Sequence, residues 1–455
     1  MSQTRSRSAA FFANATYSYK GRYTVNGTAR YEGTNRMGKS RSARWLPTWN
    51  VSGAWNAHEE KFFSNLTSVL SHFTLKASYS LTADRGPADV TNSQAIITSY
   101  SPYRPFTSIQ ESGLYIKELE NSELTYEKKH ELNIGADMGF LNNRINLAVD
   151  WYKRNNYDLI GIVNTQGAGG QILKYANIAS MKSHGIEFTL STKNIKTKDF
   201  NWNTDFIFSN AKNEVTDLKQ NANVMELISG NGFAKQGYPV RGLFSIPFVG
   251  LDKDGIPVII NEKGEATSTD INFQERQNTG FLKYEGPTDP TITGSLGNMF
   301  SYKGFRLNLF ITYSFGNVIR LNPVFKAYYS DLTAMTREFK NRWTLPGDEA
   351  KTNVPAILSK RMYDSNEDLK YAYNAYNYST ERIAKGDFIR LKEISLAYDF
   401  PKAWINPLKL TDLSLKVQAT NLFLIYADDK LNGQDPEFFN AGGVASPFPA
   451  NLLLL

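Results

Sequence analysis

The stretch Ile145-Asn-Leu-Ala-Val-Asp-Trp151 alternates apolar with polar residues, and this period of two decides the fold. It recurs in Leu307-Asn-Leu-Phe-Ile-Thr-Tyr313 and in Leu413-Ser-Leu-Lys-Val417. Because successive side chains of a strand point to opposite faces, each segment has one apolar face and one polar face. Such strands are typical of a membrane barrel that meets lipid on its outer face and encloses a wet interior.

The alternation extends over twelve segments, separated by connections that are in turn very short and very long. We predict strands over residues 9–19, 22–32, 44–56, 70–83, 126–140, 144–158, 174–192, 200–213, 290–302, 305–318, 386–400 and 411–426. Outer-membrane barrels have this rhythm, with tight turns at the periplasmic rim and longer loops outside. The predicted fold class is an all-β, antiparallel transmembrane β-barrel that crosses the bacterial outer membrane many times. Asn142-Asn143 and Lys303-Gly304 should face the periplasm, and residues 220–232 and 364–378 should face outward.

Composition excludes several other classes of protein. The chain has 455 residues, of which 51 are basic and 44 acidic, and no basic run is long enough to indicate a nucleic-acid partner. No segment approaches the ~20 apolar residues that a membrane helix needs. Cysteine is absent, which rules out disulfides, thiolate metal sites and cysteine nucleophiles. The first residues, MSQTRSRSAA, lack the apolar core of a secretory signal.

One segment matches the phosphate-binding P-loop pattern letter for letter, Gly33-Thr-Asn-Arg-Met-Gly38-Lys39-Ser40. A true P-loop must open a helix whose first amides hold the phosphates. The residues that follow are extended in character and reach Pro47 too early for a crossover helix. We interpret the match as a chance one, and we predict a turn between two strands with no bound nucleotide.

Other chemistry-bearing patterns are also missing, and we expect no enzyme activity, no cofactor and no metal site. The four histidines are far apart and lack the spacing of zinc ligands. Residues 248–260 read as a hairpin turned at Asp254-Gly255, with Asp252 nearby. This pair of aspartates hints at a calcium loop, but a glycine stands where the third ligand should be.

Five groups of residues resemble the markers of one family, the SusC/RagA-like TonB-linked outer-membrane transporters. They occur in the family's usual order and cover most of the chain. They are Tyr23 to Gly38 with Trp45-Leu-Pro-Thr-Trp-Asn-Val-Ser-Gly-Ala-Trp55, Glu131-Leu-Asn-Ile-Gly-Ala-Asp-Met-Gly-Phe140, Met181-Lys-Ser-His-Gly-Ile-Glu187, Tyr284-Glu-Gly-Pro-Thr-Asp-Pro290 with Phe300-Ser-Tyr-Lys-Gly-Phe305, and Phe388-Ile-Arg-Leu-Lys-Glu-Ile-Ser-Leu-Ala-Tyr398 with Asn421-Leu-Phe423.

The resemblance implies a plugged 22-stranded barrel, of which about twelve strands are present here. Residues 1–455 would be its C-terminal part, incomplete at both ends. The plug and the TonB-contacting segment would lie before Met1, and the final strand would be missing after about residue 449. Five residues beyond Pro449 are too few to span a bilayer as a strand, which takes ~9–11. We therefore expect a gene or contig fragment with a frameshift near its end.

The family also implies a function. Its members import oligosaccharides or peptides, with a SusD-like surface lipoprotein as a lid and energy from the TonB complex, reached here through the missing N-terminal part. Outer-membrane lipid would be a further partner. An ungated porin or adhesin-type barrel is the alternative, and a soluble secreted β-protein a third possibility.

A glycan is the substrate that the loop residues favour, because flat aromatic rings stack on sugar faces and asparagines offer paired donors and acceptors. Peptide remains open. The same rings could instead pack the loops together or contact the lid. The predicted substrate-binding residues are Tyr100, Tyr103, Trp343, Tyr371, Tyr373, Tyr376 and Tyr378.

Overall fold

The computed structural model describes residues 6–86, 95–103, 111–164, 173–324, 337–441 and 451–454. Strands dominate these ranges. In chain order they are β1 (Ser8–Tyr19), β2 (Tyr23–Thr34), β3 (Trp45–Asn56), β4 (Leu70–Asp84), β5 (Ile96–Tyr100), β6 (Gly113–Glu118), β7 (Glu127–Phe140), β8 (Ile145–Asn164), β9 (Leu173–Lys196), β10 (Phe200–Leu218), β11 (Gly242–Ser245), β12 (Phe248–Leu251), β13 (Pro257–Ile260), β14 (Ala266–Thr267), β15 (Lys283–Pro287), β16 (Ile292–Tyr302), β17 (Phe305–Phe315), β18 (Val318–Arg320), β19 (Ile383–Lys385), β20 (Phe388–Asp399), β21 (Ser414–Ala427) and β22 (Asn451–Leu454).

Helices are short and lie in the connections between strands. The α-helices are α1 (Arg41–Arg44), α2 (Val224–Ile228), α3 (Lys360–Ser365), α4 (Leu369–Asn377) and α5 (Lys402–Ile405). The 3₁₀ turns are Ala57–Glu59, Lys61–Asn65, Arg337–Asn341, Asp348–Ala350, Thr380–Arg382, Asn406–Leu408, Asp429–Leu431 and Pro436–Ala441. Across the described ranges, no helix combines the length and the apolar character needed to cross a membrane.

The main sheet has thirteen strands in the order β1-β2-β3-β4-β7-β8-β9-β10-β16-β17-β20-β21-β22. Its neighbours pair antiparallel, as in β1–β2, β4–β7 and β17–β20. All twelve predicted strands are present, so the fold class predicted from the alternation is confirmed. The thirteenth, β22, is a strand of four residues that the alternation did not predict. Four residues, Asn451–Leu454, pair with Val417 to Thr420 of β21, where open backbone groups at the sheet edge accept them.

Tight turns join the strands at one rim. Lys303 and Gly304 connect β16 to β17 with φ of 45° and 92°. Lys20, Gly21 and Arg22 connect β1 to β2, and the first two lie in the same left-handed region, with φ of 53° and 69°. Two-residue hairpins need this geometry to match the twist of the strands, and glycine adopts it without a steric cost. The two-residue hairpin expected between β16 and β17 is present at Lys303-Gly304, and the β1–β2 connection is longer by one residue, Arg22.

Side chains alternate along each strand, so the two faces of the sheet differ in polarity. Val25, Val51, Tyr79, Ile134 and Trp151 stand on one face of β2, β3, β4, β7 and β8, and between 38% and 54% of each side chain is exposed. Val51 faces Tyr79 in register, and Ile134 faces Trp151. A soluble protein rarely exposes a continuous apolar belt of this kind. The belt is what a lipid-facing surface requires.

Contacts divide the chain into two compact units. The first comprises residues 1–186 and 213–220, and the second comprises residues 187–212 and 221–455. In the second unit, the connection 221–291 packs on the described part of the connection between β17 and β20, residues 316–324 and 337–387. Ala375 of α4 is buried in the same cluster as Leu227 of α2 and Ile246. The long connections of this unit are therefore folded layers with an apolar core.

One connection differs from the prediction in detail. Arg41–Arg44 form one helical turn, α1, where an extended segment was expected, because the Ser40 hydroxyl caps the turn by accepting from the Ala43 amide at 3.1 Å. The join between β20 and β21 contains α5 and the 3₁₀ turn Asn406–Leu408.

Candidate functional site

A cavity of about 680 Å³ opens on the polar face of the first unit, where β2 ends, β3 begins and β4 ends. Arg30 of β2 lies in register with Thr48 of β3, and Asn50 of β3 with Ser80 of β4. Arg30, Thr48 and Asn50 all line the cavity. The volume lies in the range of cavities that enclose a small ligand.

Glu32 is the electrostatic centre of the cavity. Its Oε1 accepts from Arg85 Nε at 3.1 Å and from Arg85 Nη2, and its Oε2 is paired with Arg30 Nη2. The Glu32 side chain is only 16% exposed, whereas that of Arg30 is 51% exposed. Charge-assisted hydrogen bonds of this kind are short and directional. One carboxylate therefore holds two guanidinium groups at the cavity wall.

Apolar side chains form another part of the wall. Tyr126 is 2% exposed, and its hydroxyl donates to the Arg44 carbonyl at 3.2 Å. Burial raises the pKa of the Tyr126 hydroxyl. Tyr126 belongs to a buried cluster with Leu46, Leu124 and Met37. Leu46 and Tyr126 therefore add a packed apolar part to a wall that also carries the arginines.

The P-loop look-alike connects β2 to β3, as predicted. The Gly38 amide donates to the Leu124 carbonyl at 2.7 Å, and the Lys39 amide donates to the Ser122 carbonyl at 2.9 Å. The Lys39 ammonium pairs with Glu120 at 2.8 Å. A phosphate needs free amides and an uncommitted lysine. Here both amides and the Lys39 ammonium already bond to groups of the protein itself. The segment therefore has a structural role.

The tyrosines predicted to bind substrate divide into buried and exposed groups. Tyr373 and Tyr376 of α4 are each 1% exposed. Tyr373 packs with Leu358 and Leu369, and the Tyr376 ring lies 5.5 Å from the Phe248 ring. The helix therefore turns both rings into the core of the loop layer and not toward an accessible surface.

Tyr378 also has a packing role. It is partly buried against the cluster around α2, and the guanidinium carbon of Arg320 lies 5.7 Å from the centre of its ring. Trp343 covers the Gly255 turn and donates from its indole Nε1 to Glu349 at 3.0 Å. Both rings stabilise loop structure.

Three of the predicted rings remain accessible. Tyr371 is 38% exposed, Tyr100 is 48% exposed and Tyr103 is 90% exposed. The Tyr100 ring meets the Tyr115 ring edge-on at 5.6 Å within the β5–β6 hairpin. Tyr371 lies in the second unit, and the other two lie in the first. Within the second unit, Tyr371 is therefore accessible, whereas Tyr373 and Tyr376 of the same helix are buried.

The predicted hairpin at Asp254-Gly255 is confirmed as β12–β13. The Asp252 carboxylate accepts from the Asp254 and Ile256 amides, each at 2.9 Å, so it closes the turn. In the part of the chain that the structure describes, no three histidine, aspartate or glutamate side chains are placed to hold a metal ion.

Sequence reasoning missed the charged cavity. One signal was available, because Arg30 and Glu32 occupy successive polar-face positions of a single strand. Their partner Arg85 lies 53 residues beyond Glu32. A local pattern does not show a contact of that separation.

Comparison with known proteins places these features in a family. The protein-family model described as "TonB dependent receptor-like, beta-barrel" matches residues 1–422. TonB-dependent receptor SusC of Bacteroides thetaiotaomicron is 26% identical over 479 residues, which cover 99% of this chain and 43% of that protein. TonB-dependent receptor P3 of Formosa agariphila is 25% identical over 446 residues, covering 94% of this chain and 41% of that protein.

A solved structure gives the same result for the fold. The RagAB peptide transporter superposes with a TM-score of 0.78 at 22% identity, over 98% of this chain and 47% of that one. The chain spans less than half the length of these relatives. The resemblance to SusC/RagA-like transporters seen in the sequence is thus confirmed. With a family match over most of its residues and the antiparallel sheet that the family requires, the chain belongs to the TonB-dependent receptor-like β-barrel family.

Proposed function

We propose that the chain is the C-terminal part of the barrel of an outer-membrane, TonB-dependent importer. The observation that carries the proposal is the match to TonB-dependent receptors over nearly the whole chain. The exposed apolar belt around Val51 and Ile134 supports the location in outer-membrane lipid. The barrel wall is passive on this view, and energy reaches the protein through the TonB complex at a plug domain.

A SusD-like surface lipoprotein is the proposed partner at the outer mouth. The folded layers of the second unit support this idea, because α2 and α4 share a buried apolar core and a packed layer can present a defined surface to a partner. An oligosaccharide is the proposed cargo, with peptide as the alternative that the RagAB similarity keeps open. Among the predicted rings, Tyr100, Tyr103 and Tyr371 are the ones exposed enough to touch it.

Uptake of fluorescent oligosaccharides and peptides by cells with and without the intact gene tests the importer. We expect uptake to require the gene and to stop when the proton gradient of the inner membrane is collapsed. Uptake that continues without the gradient would support an ungated porin instead. Binding to surfaces without any uptake would support an adhesin.

Extraction provides a second test. A barrel should leave the membrane fraction only with detergent, since its apolar belt needs a nonpolar environment. Release into plain buffer would contradict the importer and favour a secreted β-protein.

A further inference from the structure

The cavity of the first unit carries an excess of positive charge. Three arginines, Arg30, Arg36 and Arg85, line it together with two carboxylates, Glu32 and Asp84. Glu32 is shared between two of the guanidinium groups. Counting each side chain in its ordinary charged state, the wall has one positive charge more than it has negative charges.

Arg30 is the arginine best placed to meet a ligand. Its guanidinium has five N–H groups in a planar fork. One nitrogen, Nη2, pairs with Glu32, while half of the side chain stays exposed to the cavity. Because Glu32 is itself held by Arg85, the Arg30 fork is oriented before any ligand arrives. Such preorganisation lowers the entropic cost of binding.

The rest of the wall fits the carbon skeleton of an oligomer. Leu46, Leu81 and Tyr126 provide apolar contact, and Thr48 and Asn50 provide hydroxyl and amide groups. A guanidinium fork beside such a surface favours a ligand that carries planar carboxylates on a polar chain, since arginine binds carboxylates by two parallel hydrogen bonds.

We propose that this cavity binds a carboxylate group of the transported oligomer through Arg30, and so selects an anionic cargo. The proposal rests on the importer function and names the chemical class of its cargo. The carboxylate could belong to a uronic acid of an oligosaccharide or to an acidic side chain of a peptide. Glu32 and Arg85 act as positioning residues that hold Arg30 in place.

Binding of matched probes to the intact transporter, purified from outer membranes in detergent, tests the proposal. The first pair is tetragalacturonate and its fully methyl-esterified form, and the second is tetraglutamate and tetraglutamine. We expect at least one charged probe to bind about tenfold more tightly than the neutral probe of the same pair. A difference of this size is usual for a charge-assisted hydrogen bond. The preference should weaken as the salt concentration rises.

Two variants identify the group responsible. Arg30→Gln removes the fork, and Thr48→Glu places a negative charge at the position in register with Arg30. Both should remove the preference for the charged probe. Arg306→Gln is the matched control, because Arg306 has the same 51% exposure and also pairs with a single carboxylate, that of Asp399. It should keep the preference of the parent protein.

The binding results distinguish the two classes of cargo from each other and from a negative result. A preference for tetragalacturonate alone supports the proposal with a glycan cargo, and a preference for tetraglutamate alone supports it with a peptide cargo. Equal affinity within both pairs, or a preference that survives in both variants, would overturn it. Gradient-dependent uptake of a neutral oligomer would then leave the importer standing, whereas gradient-independent uptake would count against the importer itself.

Discussion

Arg390 of β20 and Asp435, in the segment after β21, form an ion pair that is almost completely enclosed. The Arg390 Nη2 lies 2.5 and 2.6 Å from the two carboxylate oxygens, and each residue is 1% exposed. Glu437 lies 3.3 Å from Arg390 Nε and is 37% exposed. The pair therefore attaches the segment around residues 429–441 to the polar face of the sheet.

Removing one partner of this pair should release that segment. We expect Arg390→Leu to cost about 3–5 kcal/mol, because the Asp435 carboxylate is left buried without its ion-pair partner. Asp435→Leu should cost less than Arg390→Leu, because Glu437 remains 3.3 Å from Arg390 Nε. The double variant should cost less than either single one. The rate of Lys-C cleavage at the exposed Lys430 measures the opening. A double variant cleaved as fast as the single variants would contradict this. It would show that the loss of stability comes from the lost attraction within the pair and not from an unpaired buried charge.

Substitution by alanine should lower the stability of the protein more at Tyr376 than at Tyr371. Tyr376→Ala removes a ring that is 1% exposed, and a loss of about 3 kcal/mol is expected from the cavity it leaves. Tyr371→Ala, at a position 38% exposed, should change stability by less than about 0.5 kcal/mol. Hydrogen exchange of peptides that cover α4 in the purified transporter compares the two. Similar protection in both variants would contradict the packing role of Tyr376.

Gly255 and Gly264 form a matched pair of turn glycines. Their φ angles are 75° and 81°, so alanine is strained at both. A Cβ at Gly255 would lie 2.5 Å from the Trp343 ring, whereas one at Gly264 would meet nothing within 4 Å. We expect Gly255→Ala to destabilise the β12–β13 hairpin by about 1 kcal/mol more than Gly264→Ala does. Hydrogen exchange over residues 250–260 measures this difference, and equal effects would mean that the ring moves aside freely.

The orientation in the membrane is open to a labelling test. A cysteine at the exposed Asn366 should react with an impermeant reagent in intact cells, and a cysteine at Asn143 should react only after the outer membrane is opened. The reason is that short turns belong to the periplasmic rim in such barrels. This chain has no native cysteine, so it adds no background to the signal. The reverse pattern would overturn the assignment of the two rims.

The main sheet was predictable because its signal is local. Alternation within Leu307 to Tyr313 is visible in seven residues, and the turn at Lys303-Gly304 fixes which strand comes next. Helix α4 was missed although its signal was present. Leu369, Ala372 and Tyr373, with Tyr376 beyond them, follow the i, i+3, i+4, i+7 spacing of an amphipathic helix, and all four are buried.

The candidate site was less predictable than the sheet. Aromatic residues signal binding and packing equally well, and burial separates the two roles only when the partner surface is known. The cavity around Arg30 depends on Arg85, which reaches Glu32 from the end of another strand. Contacts of that kind follow from strand pairing across the sheet, which sequence patterns specify only indirectly.

The core shared by residues 221–291 with residues 316–324 and 337–387 has an evolutionary consequence. Ala375 and Tyr376 from one connection complete the packing around Ile246 and Phe248 of the other. Recombination between related genes that replaced one connection alone would join surfaces of unmatched shape, and cores tolerate such mismatches poorly. The two segments should therefore be inherited as a single module, and changes of cargo among relatives should track the pair.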